Sequence, residues 1–565
     1  MKYDEIERTV GVADLLYPSQ EKLDALKKRR VVLEGYPGDY IQNLELEKIA
    51  EIISPHSQYR VMALFRQVCN DPEVTKFRCD ILEDFLYVKQ LAKVVREVID
   101  IMAENDRRSL YKLDEPDCFD RLNDAAEAFE AYIRCIELMH EFFSEHSNEI
   151  KSEGITRLFK WFEDRYEDKH FEKLKNEISQ LKDSIKNRIK SVTVCINLDD
   201  RLVPISAGIV SLSSEPYELK PSLLDKIIYH GARFPQNIAK NLKHRYVDNE
   251  FGEDKLVNTA DKELFEQLDD LTECYVDGID RALREYQKIS PEELFALEYQ
   301  LEFYVGAVKL IELCKSEGLP ICRPKMLDAS ERKANINGLY DLVYFNESKL
   351  WNLKHKDKKS VVTNDINFDD NARFFIITGA NNGGKTTFIR AVGICQILAQ
   401  TGLYVPCESC EISYVDFIYT HFPKEEQTGI NSSRFTTEIK EFKKISDLIT
   451  DKSLLLMNES IQSTTPQECT DAATELVKIF CMIGVRGMFA THLLDVAAKT
   501  DELNRDESLV SKLESLVARV DESTGERIYK IEKGKPTHTS RAIEIFSEFG
   551  IDVEAVKKRI KVSHK

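Results

Sequence analysis

From Tyr40 to about Lys190, apolar residues recur three and four positions apart with charged residues between them, the period of amphipathic helices. Residues 154–190 hold no Gly or Pro between their ends. This predicts one long helix from Thr156 onward, roughly 50 Å at 1.5 Å per residue. The period then changes. Ser191-Val192-Thr193-Val194-Cys195-Ile196-Asn197-Leu198 alternates as a strand, Asp199-Asp200 turns, and residues 201–212 predict returning strands. Helical pattern resumes over 264–288 and 291–316, and Pro320 and Pro324 mark a boundary. A small β element at the end of long helices predicts an arm with a tip.

Past that boundary the texture is α/β. Short apolar strands at 374–378, 454–457 and 487–490 alternate with helical patterns at 386–400, 437–450 and 466–483, the rhythm of a parallel sheet with crossover helices. The expected architecture is therefore mixed: a mostly helical region over 1–322, with a β tip at 191–212, followed by an α/β domain over 323–565.

Composition narrows the function classes. Charged residues make up 31% and hydrophobic ones 42%, and no apolar run approaches the ~20 residues of a membrane span. The first residues lack the apolar core of a signal peptide, and the thirteen cysteines are scattered. These features predict a cytoplasmic, thiol-reduced protein. Cys407 and Cys410 form the one close pair; without a second pair they read as ordinary cysteines near the surface rather than a metal site. The net charge of −19 argues against nonspecific coating of nucleic acid. A local exception lies at 226–247, which has no acidic residue. There Arg233, Lys240, Lys243 and Arg245 sit among aromatic residues, as a solvated helix face or as a patch for a phosphate backbone.

The chemistry concentrates at Gly379-Ala380-Asn381-Asn382-Gly383-Gly384-Lys385-Thr386, which fits the phosphate-loop pattern G-x-x-x-x-G-K-[ST] between a strand and a helix. Such a loop turns backbone N–H groups toward a phosphate, and the following helix adds partial positive charge. Lys385 is expected to reach the β- and γ-phosphates and the Thr386 hydroxyl to bind Mg²⁺, which predicts binding of a nucleoside triphosphate. Downstream, the apolar run at 454–457 delivers Asn458 and Glu459 to the sheet edge where ligands sit. Asn458 is expected to support Mg²⁺ through a water, and Glu459 to polarise an attacking water. Phe489-Ala490-Thr491-His492 is a strand ending in a histidine, expected to contact the γ-phosphate.

These residues resemble the ATPase domain of the MutS family of DNA mismatch-repair proteins, a branch of the ABC-type P-loop ATPases. The family's TGPNMGGKST appears as Thr378 to Thr387, its "ND" as Asn364-Asp365, and its "VPA" as Val405-Pro406-Cys407. Its S-x-F-x-x-E appears as Ser433 to Glu438, and its "FATH" as Phe489 to His492. The long helices and β tip are similar to the family's core, lever and clamp regions. The resemblance implies ATP and Mg²⁺ as ligands and ATP hydrolysis as the activity. It also implies a homodimer in which Ser433 reaches the other subunit's nucleotide, and lever arms that carry closure to a DNA clamp.

Two positions depart from the family pattern within its motifs: Asn382 in the loop, and Asn458 where an Asp is usual. Slow hydrolysis is expected from the second. The helical core begins within the first ~100 residues, which leaves no room for the family's mismatch-reading domains and casts doubt on mismatch recognition. Three functions remain open: an ATP-gated clamp on mismatched or branched DNA, an ATPase acting on recombination junctions or stalled ribosomes, and a slow nucleotide-gated switch.

Overall fold

The computed structural model describes residues 14–110, 118–186, 191–201, 204–213, 215, 291–355, 359–422, 434–463, 465–521 and 526–535. Ser433, the basic patch containing Arg233, Lys240, Lys243 and Arg245, and the helical pattern over 264–288 lie outside the described residues.

The described residues up to Lys186 are mostly helical, as their period predicts: α1 (Gln20–Leu33), α2 (Tyr40–Asn43), α3 (Leu46–Ile53), α4 (Gln58–Arg66), α5 (Pro72–Tyr87), α6 (Leu91–Leu110), α7 (Cys118–His146), α8 (Glu153–Tyr166) and α9 (Phe171–Lys186). Local signals set several ends. Asp71 caps α5 by accepting from the Glu73 and Val74 N–H groups, and Pro72 occupies the first turn, where its missing N–H costs nothing. The single long helix expected over 154–190 is in fact two. The Asp168 carboxylate accepts the His170 N–H at 2.7 Å, and its carbonyl accepts the Phe171 N–H at 2.9 Å. This local turn competes with the helical ladder without any Gly or Pro to announce it.

After α9 comes the hairpin of β1 (Ser191–Leu198) and β2 (Pro204–Ser213), antiparallel from Ser191↔Ser213 to Leu198↔Pro204. The next described elements are the helices α10 (Pro291–Phe295) and α11 (Glu298–Ser316).

Two compact units form. One comprises Asp100–His140 and Phe162–Phe295. Within it, Lys175 and Lys182 of α9 pair with Glu137 and Glu130 of α7, and the His140 and Tyr166 rings stack at 3.6 Å.

The other unit comprises Met1–Ile99, Glu141–Trp161 and Ala296–Lys565, so helices from both sides of residue 322 share it. In this unit α3 and α11 touch backbone to backbone. A Cβ at Gly306 would sit 1.7 Å from the Ile53 carbonyl oxygen, so only glycine permits the crossing.

The rest of this unit is α/β. In order it runs β3 (Lys325–Leu327), β4 (Ala334–Leu339), α12 (Leu342–Lys354), β5 (Asn364–Phe368), β6 (Phe374–Thr378), α13 (Lys385–Thr401), β7 (Ser409–Ser413), β8 (Ile418–His421), α14 (Arg434–Leu448), β9 (Leu454–Asn458), α15 (Pro466–Ile483), β10 (Arg486–Ala490), α16 (Leu494–Ala498), α17 (Thr500–Leu503), β11 (Leu513–Val520) and β12 (Arg527–Lys533).

Six strands form one sheet in the order β12-β11-β6-β10-β9-β8, parallel except for the β11–β12 pair. Every residue of β6, β9 and β10 is buried, as expected for a parallel sheet covered on both faces. A second, mixed sheet runs β3-β7-β4-β5. Its strands are short and none is buried along its whole length, so the expectation of a single parallel sheet missed it.

The two parts of the unit are joined by charge. Arg390 on α13 donates to the buried Asp341 carboxylate at 2.6 Å and also pairs with Glu45, between α2 and α3. Asp341 in turn caps α12 by accepting from Val343 and Tyr344.

Candidate functional site

β6 ends at Thr378 and α13 begins at Lys385, so the glycine-rich loop is the strand-to-helix turn itself. Gly379 has φ +125° and Gly384 φ +90°, a region that favours glycine. A Cβ at Gly379 would lie 2.9 Å from the Ala518 Cβ and 3.0 Å from its carbonyl oxygen on β11. At Gly383 it would lie 2.8 Å from the Ala380 carbonyl oxygen. Asn382 also adopts a left-handed conformation, φ +57°, and asparagine is among the side chains that tolerate it best.

α13 has no side-chain cap, because its N-cap residue is Gly384. Its first-turn N–H groups and the positive end of its dipole therefore lie open to an anion.

The side chains at the loop are held in place. The Lys385 ammonium is buried and donates to the Gly379 and Ala380 carbonyls at 2.9 and 3.0 Å. Burial lowers its pKa from the ordinary lysine value, and the charge of Glu459 opposes that shift. The Thr386 hydroxyl donates to Asn458 Oδ1 at 2.9 Å. Asn381 and Asn382 are exposed, and Thr387 is half-buried.

Strand order assembles the rest. β10 lies between β6 and β9, all parallel, with Ala490 opposite both Ile377 and Asn458. The C-terminal edge thus collects the loop after β6, Asn458 and Glu459 at the end of β9, and His492 after β10. His492 Nε2 lies 2.9 Å from Glu459 Oε1, both side chains about one-third exposed. The Glu459 N–H donates to the Ala490 carbonyl at 2.8 Å, fixing the carboxylate's base. Glu459 and Ile461 have φ +48° and +60°, a strained turn for two non-glycine residues. Strain of this kind, roughly 1–2 kcal/mol per residue, collects at sites where a side chain must be aimed.

Sequence reasoning missed a second layer. His421, ending β8, is buried, with Nδ1 2.7 Å from Ser460 Oγ and Nε2 3.2 Å from Glu441 Oε2 on α14. Ser463 Oγ donates to Glu438 Oε1 at 3.3 Å. The turn after Glu459 is therefore tied twice to the helix that follows position 433. The signal was present: Ile418 to His421 is a buried strand ending in histidine, the same form as the segment ending at His492.

The paired motif residues Asn364 and Asp365 serve the framework. Asn364 Oδ1 accepts the Ile531 N–H at 2.7 Å, and Asp365 accepts the Gly338 N–H at 2.7 Å. Tyr529, with φ +56°, lies on β12 beside the loop; its ring would be 3.6 Å from a Cβ at Gly384. Cys407 and Cys410 are not near the surface as expected. Both are buried where β7 packs against α13.

The chain is also similar in sequence to known proteins. The family model MutS domain V matches residues 375–564, and the model MutS2 N-terminal domain matches residues 70–316. "Endonuclease MutS2" of Finegoldia magna is 31% identical over 235 residues, covering 41% of this chain and 28% of that protein. "DNA mismatch repair protein MutS" of Thermosipho melanesiensis is 35% identical over 141 residues, 25% of this chain and 17% of that protein. "DNA mismatch repair protein MSH6" of Saccharomyces cerevisiae is 34% identical over 179 residues, 31% of this chain and 14% of that protein. In each case the chain spans less than a third of the relative's length.

Proposed function

We propose that this chain, which belongs to the MutS family, binds and slowly hydrolyses ATP and uses the cycle to gate its hold on mismatched or branched DNA. The observation that carries the reading is the shared sheet edge. Lys385, Thr386 with Asn458, and Glu459 with His492 stand together at the C-terminal ends of β6, β9 and β10. This is the edge at which open α/β sheets bind nucleotides, here with the turn and uncapped helix of a P-loop ATPase.

Gly379, Asn381, Asn382, Gly383, Gly384 and Thr387 shape the loop around the phosphates, and Lys385 leaves its two carbonyls to meet them. Thr386 directly, and Asn458 through a water, would hold Mg²⁺, which would supply positive charge against the phosphate oxygens. Glu459 accepts hydrogen bonds from the attacking water and orients it, while His492 holds that carboxylate and senses the γ-phosphate. In this reading Ser433 completes the nucleotide site of the other subunit of a homodimer. Arg233, Lys240, Lys243 and Arg245 contribute phosphate-backbone contacts to DNA.

Asn458 favours a second reading. An amide in place of a carboxylate weakens the hold on Mg²⁺, which suits a nucleotide-gated switch with negligible turnover. The test is ATP-dependent binding of the full chain to plain duplex, mismatched and four-way DNA, beside co-sedimentation with ribosomes. A nuclease readout on the same DNAs covers the activity printed in the Finegoldia relative's name. ATP-dependent preference for mismatched or four-way DNA, falling steeply with salt, supports the first reading. Equal weak binding to every DNA overturns it, and ribosome co-sedimentation moves the client to the ribosome.

A further inference from the structure

Four cysteines from three separate stretches of chain converge at the back of the loop helix, away from the nucleotide edge. Cys395 sits within α13, Cys407 and Cys410 flank the turn into β7, and Cys322 lies in the link between α11 and β3. The sulfurs of Cys395, Cys407 and Cys410 all lie within 4.8 Å of one another, and all three residues are buried. Cys322 Sγ is 3.6 Å from Cys407 Sγ, and Cys395 Sγ is 3.9 Å from Cys410 Sγ.

We propose that Cys395, Cys407 and Cys410, with Cys322 as the fourth ligand, bind one structural zinc ion. Ligands 2.3 Å from a tetrahedral zinc stand about 3.8 Å from one another, which is the spacing of the two close sulfur pairs. The sulfurs are too far apart to be bonded as disulfides. They are also too close to surround a cluster of several irons. The soft, all-sulfur donor set selects zinc over magnesium or calcium. Cys407-x-x-Cys410 has the spacing of a zinc turn; sequence reading set it aside for want of a second close pair, and the cysteines that join it here lie 12 and 85 residues upstream of Cys407.

Buried cysteines are common in cores, but as isolated small apolar side chains. Here three of the chain's thirteen cysteines meet with their sulfurs within 4.8 Å of one another, and a fourth, Cys322, touches one of them. The backbone already holds the frame. Cys322 and Val405 form a bridge, with N–H···O distances of 3.1 and 2.9 Å in the two directions. Cys410 lies on β7, which pairs with β3 and β4. Each thiol gives up its proton to solvent on ligation, so the bound ion ties α13, the second sheet and the link from α11 into one piece.

The test uses the full chain purified without chelator under reducing conditions, with metal content measured by mass spectrometry. The expected result is about one zinc per chain, lost in Cys407→Ser and Cys410→Ser and kept in Cys469→Ser, which alters a buried cysteine elsewhere. Cys322→Ser is expected to hold zinc more weakly against a competing chelator; unchanged retention overturns its assignment as fourth ligand. Should a serine variant fail to fold, cobalt(II) uptake by the metal-stripped parent decides the matter. Tetrahedral thiolate absorption supports the site. Absence of zinc together with absence of cobalt uptake overturns it, as does mass-spectrometric detection of Cys322–Cys407 or Cys395–Cys410 disulfides in the freshly purified protein. Removing the ion is further expected to lower the thermal midpoint, a readout independent of ATP.

Discussion

Replacing Gly379 by alanine changes one hydrogen into a methyl group at the point where the glycine-rich loop leaves the sheet. Two costs arise. At φ +125° the backbone lies where side chains are rarely found, and the left-handed half of the map costs roughly 1–2 kcal/mol for a residue with a Cβ. The new methyl would also stand 2.9 Å from the Ala518 Cβ and 3.0 Å from its carbonyl oxygen. Those atoms belong to β11, whose ladder with β6 runs to Val517↔Thr378, so the neighbour is backbone that cannot rotate away. Overpacking of this kind costs about 1–3 kcal/mol.

The total, about 2–5 kcal/mol, is below the stability of a typical domain, so the chain relieves it by distorting the loop instead of unfolding. At 1.4 kcal/mol per factor of ten, the population of the competent loop falls about 30-fold to 3,000-fold, and nucleotide affinity falls with it. Titration with a fluorescent ATP analogue measures the loss, and circular dichroism checks the fold. Gly318→Ala is the control. That glycine also has positive φ, +72°, but its Cβ meets nothing within 4 Å and it lies far from the loop in sequence. It should lower stability slightly and leave affinity alone. If Gly379→Ala binds within about threefold of the parent at an unchanged melting temperature, the steric reasoning is refuted.

Glu459→Gln keeps the shape of the site and removes the base, so turnover should drop roughly 100-fold or more with ATP affinity retained; equal turnover in a phosphate-release assay removes Glu459 from the chemistry. Asn458→Asp keeps an acceptor for the Thr386 hydroxyl and adds a charge, so half-maximal turnover should need less Mg²⁺, while the metal-free chain loses stability because the position is buried. Gly306→Ala gains up to about 1 kcal/mol of helix propensity but forces α3 and α11 apart, so the urea midpoint should fall, and a rise would contradict the crossing. Burial raises the pKa of Asp80, but Lys76 and Arg323 overcome it and hold the carboxyl below its ordinary 3.8. Its stabilising contribution is therefore present above pH 3.8 and lost as pH falls below it, so Arg323→Ala should flatten that part of the stability profile.

Much of the fold was legible in the sequence because the signals are short-range. The period of apolar residues marked the helices before residue 190 and the hairpin after it, and the buried runs at β6, β9 and β10 stood out as continuous apolar segments. The break between α8 and α9 escaped, because a carboxylate bonding its own backbone leaves no mark on hydrophobic periodicity. The second sheet escaped because its strands are three to six residues long and half-exposed.

Within the site, the contiguous loop from Gly379 to Thr386 and the residue types at 458, 459 and 492 were readable, since their chemistry is carried by neighbours in sequence. That Thr386 bonds Asn458, that His492 bonds Glu459, and that His421 bonds Ser460, next to Glu459, follows from strand order and register. The same holds for Cys322 and Cys395, far from the 407–410 pair along the chain and brought to it by the pairing of β7 and the packing of α13. A sequence lists which side chains exist and how each segment folds locally. Which of them meet depends on how buried strands align, a choice made by the packing of the whole sheet and not by any one segment.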